Sequence, residues 1–183
     1  MKEKRLLGIF EFTNSAGDIE YYKAKFVNKD NVKTLGYYHI ENNKVINKRK
    51  GEELPYNLYN LIKGLKEQKI IVICEGEKDA NKLNHLLPNE YVATSLKGVK
   101  NFSIFDGLGV KIYICWDTGE AGEQYIEKLR RELANKSEAF KIIKLPGIDS
   151  LGSNADVTDW LDAGHTRREL LHAFNNSLDI KDK

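Results

Sequence analysis

Three stretches near the start of the chain alternate apolar and polar positions: LLGIFEF from Leu6, IEYYKAKFV from Ile19 and TLGYYHI from Thr34. Alternation in runs rich in Ile, Val, Tyr and Phe predicts half-buried strands. Turn-forming residues at Asn14–Asp18, Asn28–Asn31 and Glu41–Lys44 punctuate them. The first 47 residues therefore predict a meander of three or four antiparallel strands. So small a sheet needs something to pack on. After a charged break, KRKGEE at 48–53, the residues Tyr56, Leu58, Tyr59, Leu61, Ile62 and Leu65 recur at helical spacing. They predict a short helix ending near Gly64.

From residue 70 the pattern changes. IIVICE at 70–75 is an unbroken apolar run, as in a central parallel strand. Ala80, Leu83 and Leu87 share one face of a helix over 78–87 that stops at Pro88. YVATS (91–95), KIYICWD (111–117) and FKIIKL (140–145) predict three further strands. Between the last two, a helix over 120–134 carries the stripe Ala121, Tyr125, Ile126, Leu129 and Leu133. A short helix over 156–163 follows, with Gly164 as its stop. Thr166 and Glu169 make a capping box that opens a last helix to about Phe174, and the tail DIKDK is expected to fray.

Alternation of this kind specifies an α/β fold with a mostly parallel sheet and helices on both faces. A small antiparallel β-rich subdomain precedes it. The boundary is drawn near residue 69, giving parts 1–69 and 70–183.

Composition narrows this picture. The 183 residues suit one domain with a small appendage. Two cysteines make neither a disulfide framework nor a four-thiolate zinc site. Cys74 and Cys115 lie in apolar runs and read as buried free thiols, and no zinc is expected. His39, His85, His165 and His172 show no metal-ligand spacing. No apolar stretch approaches the roughly 18 residues of a membrane span, and the N-terminus lacks a signal-type apolar region. The expectation is a cytoplasmic protein with no membrane partner. The net charge is only +2, yet residues 1–69 hold 14 Lys/Arg against 9 Asp/Glu, and the remainder 15 against 18. A basic part beside an acidic part suits an enzyme that grips phosphates and holds metal.

In open parallel sheets, ligands bind beyond the C-terminal ends of the strands. Acidic residues stand there three times. Glu75-Gly76-Glu77-Lys78-Asp79 follows the first strand of the second part, Asp117-Thr118-Gly119-Glu120-Ala121-Gly122 the third, and Asp156-Val157-Thr158-Asp159-Trp160 the fourth. Acidic residues also suit helix starts, so Glu77, Asp79, Glu120 and Asp156 have a structural reading as caps. Glu75 and Asp117 differ. Each directly ends an apolar strand, where a lone carboxylate is costly without a partner or a metal.

The order E-G-x-x-D, then D-x-x-x-A-G, then D-V-x-D-W-L resembles the TOPRIM fold. It is most similar to the primase-type TOPRIM domains of phage, plasmid and other mobile-element replication proteins. Glu75–Ala80, Ala93-Thr94 with Lys97-Gly98, Asp117–Gly122 and Asp156–Leu161 carry the likeness, and Leu58–Leu61 resembles a segment often found just upstream. The resemblance covers about residues 56–175.

The resemblance implies metal-dependent nucleotidyl transfer, making RNA primers on a single-stranded DNA template from ribonucleotides. Glu75 and Asp117 would be catalytic. Glu75, Asp117 and Asp156, with Asp159 and Glu120 nearby, would hold Mg²⁺ or Mn²⁺. In the family, two ions activate the attacking hydroxyl and stabilise the leaving pyrophosphate. Lys78, Lys97 and Lys100, with the basic run Lys48-Arg49-Lys50, would face phosphates or template. Such primases usually carry a zinc-binding module and often a helicase; neither a zinc ribbon nor a phosphate-binding G-x-x-x-x-G-K-[ST] loop occurs here.

One position departs from the family. The second aspartate of its D-x-D pair falls on Gly119, which offers no carboxylate. Two other readings therefore stay open: a TOPRIM nuclease or RNA-processing enzyme, and a non-catalytic nucleic-acid-binding module.

Overall fold

The first hairpins are set by asparagine. Asn14 Oδ1 accepts from the Ala16 and Asp18 amides, and Asn28 Oδ1 accepts from those of Asp30 and Val32. Both side chains thus imitate a backbone turn. Asn42 and Asn43 each adopt positive φ, 49° and 61°, as a two-residue hairpin turn requires. The computed structural model describes residues 4–180. The turns join β1 (Lys4–Thr13), β2 (Ile19–Asn28), β3 (Lys33–Glu41) and β4 (Lys44–Ile46) into an antiparallel sheet in chain order.

One face of this sheet is covered by the chain that follows it. Phe12 stacks on Tyr21 at 4.7 Å, and Tyr56 meets Phe12 edge-on at 5.3 Å. Tyr21 Oη accepts from the Leu54 amide. Glu53 is buried here and takes a salt bridge from buried Lys23 at 2.9 Å and a hydrogen bond from Tyr37 Oη. A buried charge of this kind persists only with partners. The opposite face leaves Leu6, Ile9, Ile40 and Val45 exposed.

The chain divides into two compact units, Met1–Tyr59 and Asn60–Lys183. The division falls within α1 (Leu58–Lys66), ahead of the boundary near 69 read from the hydrophobic pattern. The helix does not end at Gly64. A Cβ there would lie 2.7 Å from Val92 Cγ2, so the glycine serves close packing rather than termination.

The second unit contains β5 (Ile70–Cys74), α2 (Glu77–Leu86), β6 (Tyr91–Ser95), β7 (Val110–Cys115), α3 (Glu120–Leu133), β8 (Ser137–Ile142), α4 (Val157–Asp162), α5 (Arg167–Asn175) and β9 (Leu178–Asp179). Its sheet runs β6-β5-β7-β8-β9. The first four strands are parallel, β9 is antiparallel, and helices flank the sheet. The predicted α/β architecture with an antiparallel companion is the one observed.

Several details differ from the sequence reading. The strand placed at 140–145 begins at Ser137. Part of the tail expected to fray is instead the edge strand β9, where the Ile180 amide bonds to Phe140 O; the rest of DIKDK lies outside the described residues. On α3 the buried positions are Gly122, Leu129 and Leu133, while Ala121 is exposed. The capping box of α5 forms as expected, with the Glu169 side chain bonding the Thr166 amide at 2.7 Å. Cys74 and Cys115 are buried free thiols in register across β5 and β7, and burial pushes both well up.

Candidate active site

The second unit's sheet reverses its strand order between β5 and β7. From β5 the chain moves to β6 on one side and to β7 on the other. Such a switch point opens a crevice at the C-terminal strand ends. Because Cys74 pairs with Cys115, the residues that follow them leave adjacent strand ends. Glu75 and Asp117 stand there.

Asp117 is half-buried, and its carboxyl is pushed up to about 7, first by burial and then by Glu75, Asp79 and Asp156. The ammonium of Lys97 pulls it back in part. Asp79 is pushed up to about 6, again by burial first and then by Asp156. Thr158 Oγ1 donates to Asp79 Oδ1 at 2.6 Å. Four carboxylates thus act on one another across this crevice. Sequence reasoning left Asp79 as a cap. Its membership follows from the fold, which brings Thr158 of α4 to α2.

Glu75 Oε1 pairs with the Lys97 ammonium, while its buried Oε2 has no hydrogen-bond partner. Lys78 pairs with Asp156 at 3.3 Å. Burial lowers the Lys78 ammonium's affinity for its proton, but Asp156 and Asp79 outweigh it, and the net shift is upward.

The remaining candidates are placed differently. Asp156 caps α4 by accepting from the Asp159 amide at 2.8 Å, and Asp159 Oδ2 accepts from the Asp156 amide at 3.1 Å. One oxygen of Asp159 is therefore spent on the cap. Glu120 is exposed on the first turn of α3, where its Oε1 accepts from Gln124 Nε2. Lys100 is exposed in the turn after β6. In the first unit, Arg49 pairs with Glu53, Lys50 pairs with Glu20 at 3.1 Å, and the Lys48 carbonyl meets His39 Nδ1 at 2.7 Å. His165 stacks on Trp160 at 4.0 Å.

Three small residues shape the turns. Gly122 lies against Asp117, since a Cβ would sit 1.8 Å from the Asp117 carbonyl oxygen. Gly119 has φ +94° and ψ 178°, a region essentially confined to glycine, and a Cβ there would meet Ser153 Oγ at 2.8 Å. Thr118 binds the loop that leads to Asp156. Its amide donates to Ala155 O and its carbonyl accepts from the Asn154 amide. Its hydroxyl donates to Gly152 O at 2.7 Å and accepts from the Ala155 amide at 2.9 Å. No sequence signal marked Thr118 beyond its place between Asp117 and Gly119.

Among the described residues, no three His, Cys, Asp or Glu side chains form a ready-made metal cage. The donor set nevertheless fits Mg²⁺ or Mn²⁺. Such ions use one or two carboxylates and complete their shell with water and substrate phosphate. The bare Glu75 Oε2 and the mutual repulsion around Asp117 are what a cation would relieve.

No protein-family model matches the chain, and no curated sequence does. Solved structures match in fold. The zinc-binding and RNA polymerase domains of the Aquifex aeolicus primase superpose with a TM-score of 0.67 at 16% identity, covering 94% of this chain and 40% of that one. The RNA polymerase domain of Mycobacterium tuberculosis primase DnaG gives 0.60 at 14%, covering 92% and 54%. The primase fragment of the bacteriophage T7 primase-helicase gives 0.56 at 20%, covering 91% and 62%. The chain thus has the fold of DnaG-type primase catalytic domains and spans 40–62% of these three. No helix among the described residues is long and apolar enough to cross a membrane.

Proposed function

We propose that this chain is a TOPRIM-type catalytic domain of a DNA primase-like protein that makes RNA primers by metal-dependent nucleotidyl transfer on single-stranded DNA. The observation that carries this is that Glu75 and Asp117 follow the adjacent ends of β5 and β7 at the strand-order reversal, inside a fold like that of primase catalytic domains. In the reaction, the 3′-hydroxyl of the primer attacks the α-phosphorus of a ribonucleoside triphosphate. The new O–P bond forms as the bond to pyrophosphate breaks. The unpartnered Glu75 Oε2 is suited to take the hydroxyl proton, being within a crevice that also limits its solvation. Asp117, Asp79 and Asp156 would hold the divalent ion. That ion would supply neutralisation of the phosphate charge.

Lys78 and Lys97, both more than half exposed, stand where phosphates would approach. Lys100 and Lys48 are further contacts for template, and Arg49 and Lys50 would have to leave Glu53 and Glu20 to join them. A zinc-binding module and a replicative helicase are the partners this reading calls for, and the cytoplasm of a cell carrying a phage or mobile element is its setting.

The test is direct. Chain, single-stranded template, ribonucleotides and Mn²⁺ should give short RNA products, and Glu75→Gln and Asp117→Asn should each abolish them. Gly119 favours a second reading, a binding module that has lost catalysis. Template binding without product, in the presence of the zinc-binding and helicase partners, would establish it. Asp117-dependent degradation of labelled nucleic acid would instead establish a nuclease.

A further inference from the structure

The sheet of the first unit has one face packed and one bare. On β2, Tyr21 stacks on Phe12 and Lys23 pairs with Glu53, so both point to the packed side. The alternate residues from Tyr22 to Asn28 therefore face the other way. Their register partners on β1, Glu11, Ile9, Leu6 and Lys4, share that outward face. So does Tyr38, opposite Tyr22 on β3, and the pair Ile40 and Val45 continues it onto β4. Ile9 is 58% exposed, Ile40 62% and Val45 67%. A contiguous apolar face of this kind marks a contact surface.

Two features identify its occupant. The first is charge. Lys4 and Glu11 stand exposed at opposite ends of the apolar stretch of β1, and neither has an ion-pair partner among the described residues. A two-fold axis across the strands, midway between Leu6 and Ile9, sets Lys4 of each copy over Glu11 of the other. The same axis sets Leu6 over Ile9. The Ile40–Val45 pair then reaches toward the other copy's turn between β2 and β3, where Val32 is 54% exposed. The second feature is area. Four strands about 4.8 Å apart and about 30 Å long, stacked on their copy, remove about 1,100 Å² from water, at the low end of specific interfaces. Nucleic acid fits the face less well, because Glu11 and Glu20 border Tyr22 on it and repel phosphates. Pairing along the β1 edge fits less well too, because the irregularity at Leu7 breaks its ladder.

We propose that the outward face of this sheet is a self-association surface, on which a second copy of the chain stacks two-fold with Lys4 over the Glu11 of that copy. The apolar side chains supply the driving force, and the two symmetry-related ion pairs fix the register. The proposal holds whatever reaction the second unit performs.

The experiment is sedimentation velocity of the purified chain over about 5 to about 300 µM, the range in which a contact of this size associates. A reversible monomer–dimer equilibrium is expected. Ile9→Asp and Ile40→Asp should each weaken it at least about tenfold, by burying an unpaired charge. Both positions are exposed in the single chain, so circular dichroism of these variants should match the wild type. Lys4→Glu and Glu11→Lys should each weaken the dimer about fivefold, and the two together should return it to within about twofold of the wild type. Leu178→Ser, on the exposed strand β9 of the second unit, should leave it unchanged. A wild-type chain that stays monomeric throughout overturns the proposal, as does a dimer of unchanged affinity in both aspartate variants. Charge reversals that fail to restore one another overturn the two-fold register. A monomer that binds oligothymidylate and loses that binding in Tyr38→Ala gives the face to nucleic acid and overturns the proposal as well.

Discussion

The turns after β5 and β7 begin alike, with an acid at the strand end and a glycine just before a helix. They end differently. In the first, Gly76 has φ −106°, an ordinary extended value, and the Asp79 carboxylate folds back over it. The turn thus delivers two carboxylates, Glu75 and Asp79, to the crevice. In the second, Gly119 has φ +94°, the chain swings toward Ser153, and Glu120 is left exposed. This turn delivers Asp117 alone. The same composition yields different charge because the backbone path decides which side chains arrive. Thr118 fixes that path by tying the turn to the 152–155 loop.

The sharpest break of this comparison is a pair of alanines. Gly122→Ala would drive a Cβ into the Asp117 carbonyl, so unfolding by urea should show a loss of about 3 kcal/mol or more. Gly76→Ala meets only the far end of the Asp79 side chain, and should cost less than about 1 kcal/mol. Equal losses would mean the two turns are held alike.

Placing an aspartate in the second turn gives the next effect. Gly119→Asp should destabilise by about 1–3 kcal/mol through its backbone strain, and should not tighten Mn²⁺ binding. A stable, tighter-binding variant would show that the turn opens readily. Thr118→Val should cost about 1–3 kcal/mol, because the Ala155 amide loses its side-chain acceptor and the hydroxyl bond to Gly152 O goes. Amide exchange should then quicken in 152–155 while β5 stays protected.

The smallest effect is electrostatic. Asp117 rises from 3.8 to about 7 in the folded chain. Between those values the folded state binds more protons than the unfolded state. Stability present at low pH is therefore lost as pH rises from about 4 to about 7. Asp117→Asn should flatten that slope and raise the metal-free melting temperature at pH 8 by roughly 2–8 °C, on a gain of about 1–2 kcal/mol.

Much of the architecture was legible along the chain. β6 runs over Tyr91–Ser95 as the apolar pattern predicts, and the Thr166-x-x-Glu169 box opens α5. These are local signals, set by side-chain period and by hydrogen bonds a few residues apart. The acids at strand ends were legible for the same reason: an apolar run stops at a charge. Gly64 misled because glycine as a stop and glycine as a contact look identical until Val92 is known to lie opposite. On α3 the buried stripe was misjudged at Ala121, since the helix turns its Gly122 side toward Asp117.

What the sequence by itself determined is the set of elements, the acidic character of their C-terminal turns and the absence of a carboxylate at position 119. Hydrophobic period and residue identity are properties of the chain and need no neighbours. Only the tertiary structure decided the rest. Strand order placed β5 beside β7, and so Glu75 near Asp117. The approach of α4 to α2 made Asp79 part of the cluster through Thr158. The reach of a lysine from the turn after β6 gave Glu75 its cation. Each of these joins residues far apart along the chain, and electrostatic energy depends on distance and burial, which a chain acquires only by folding.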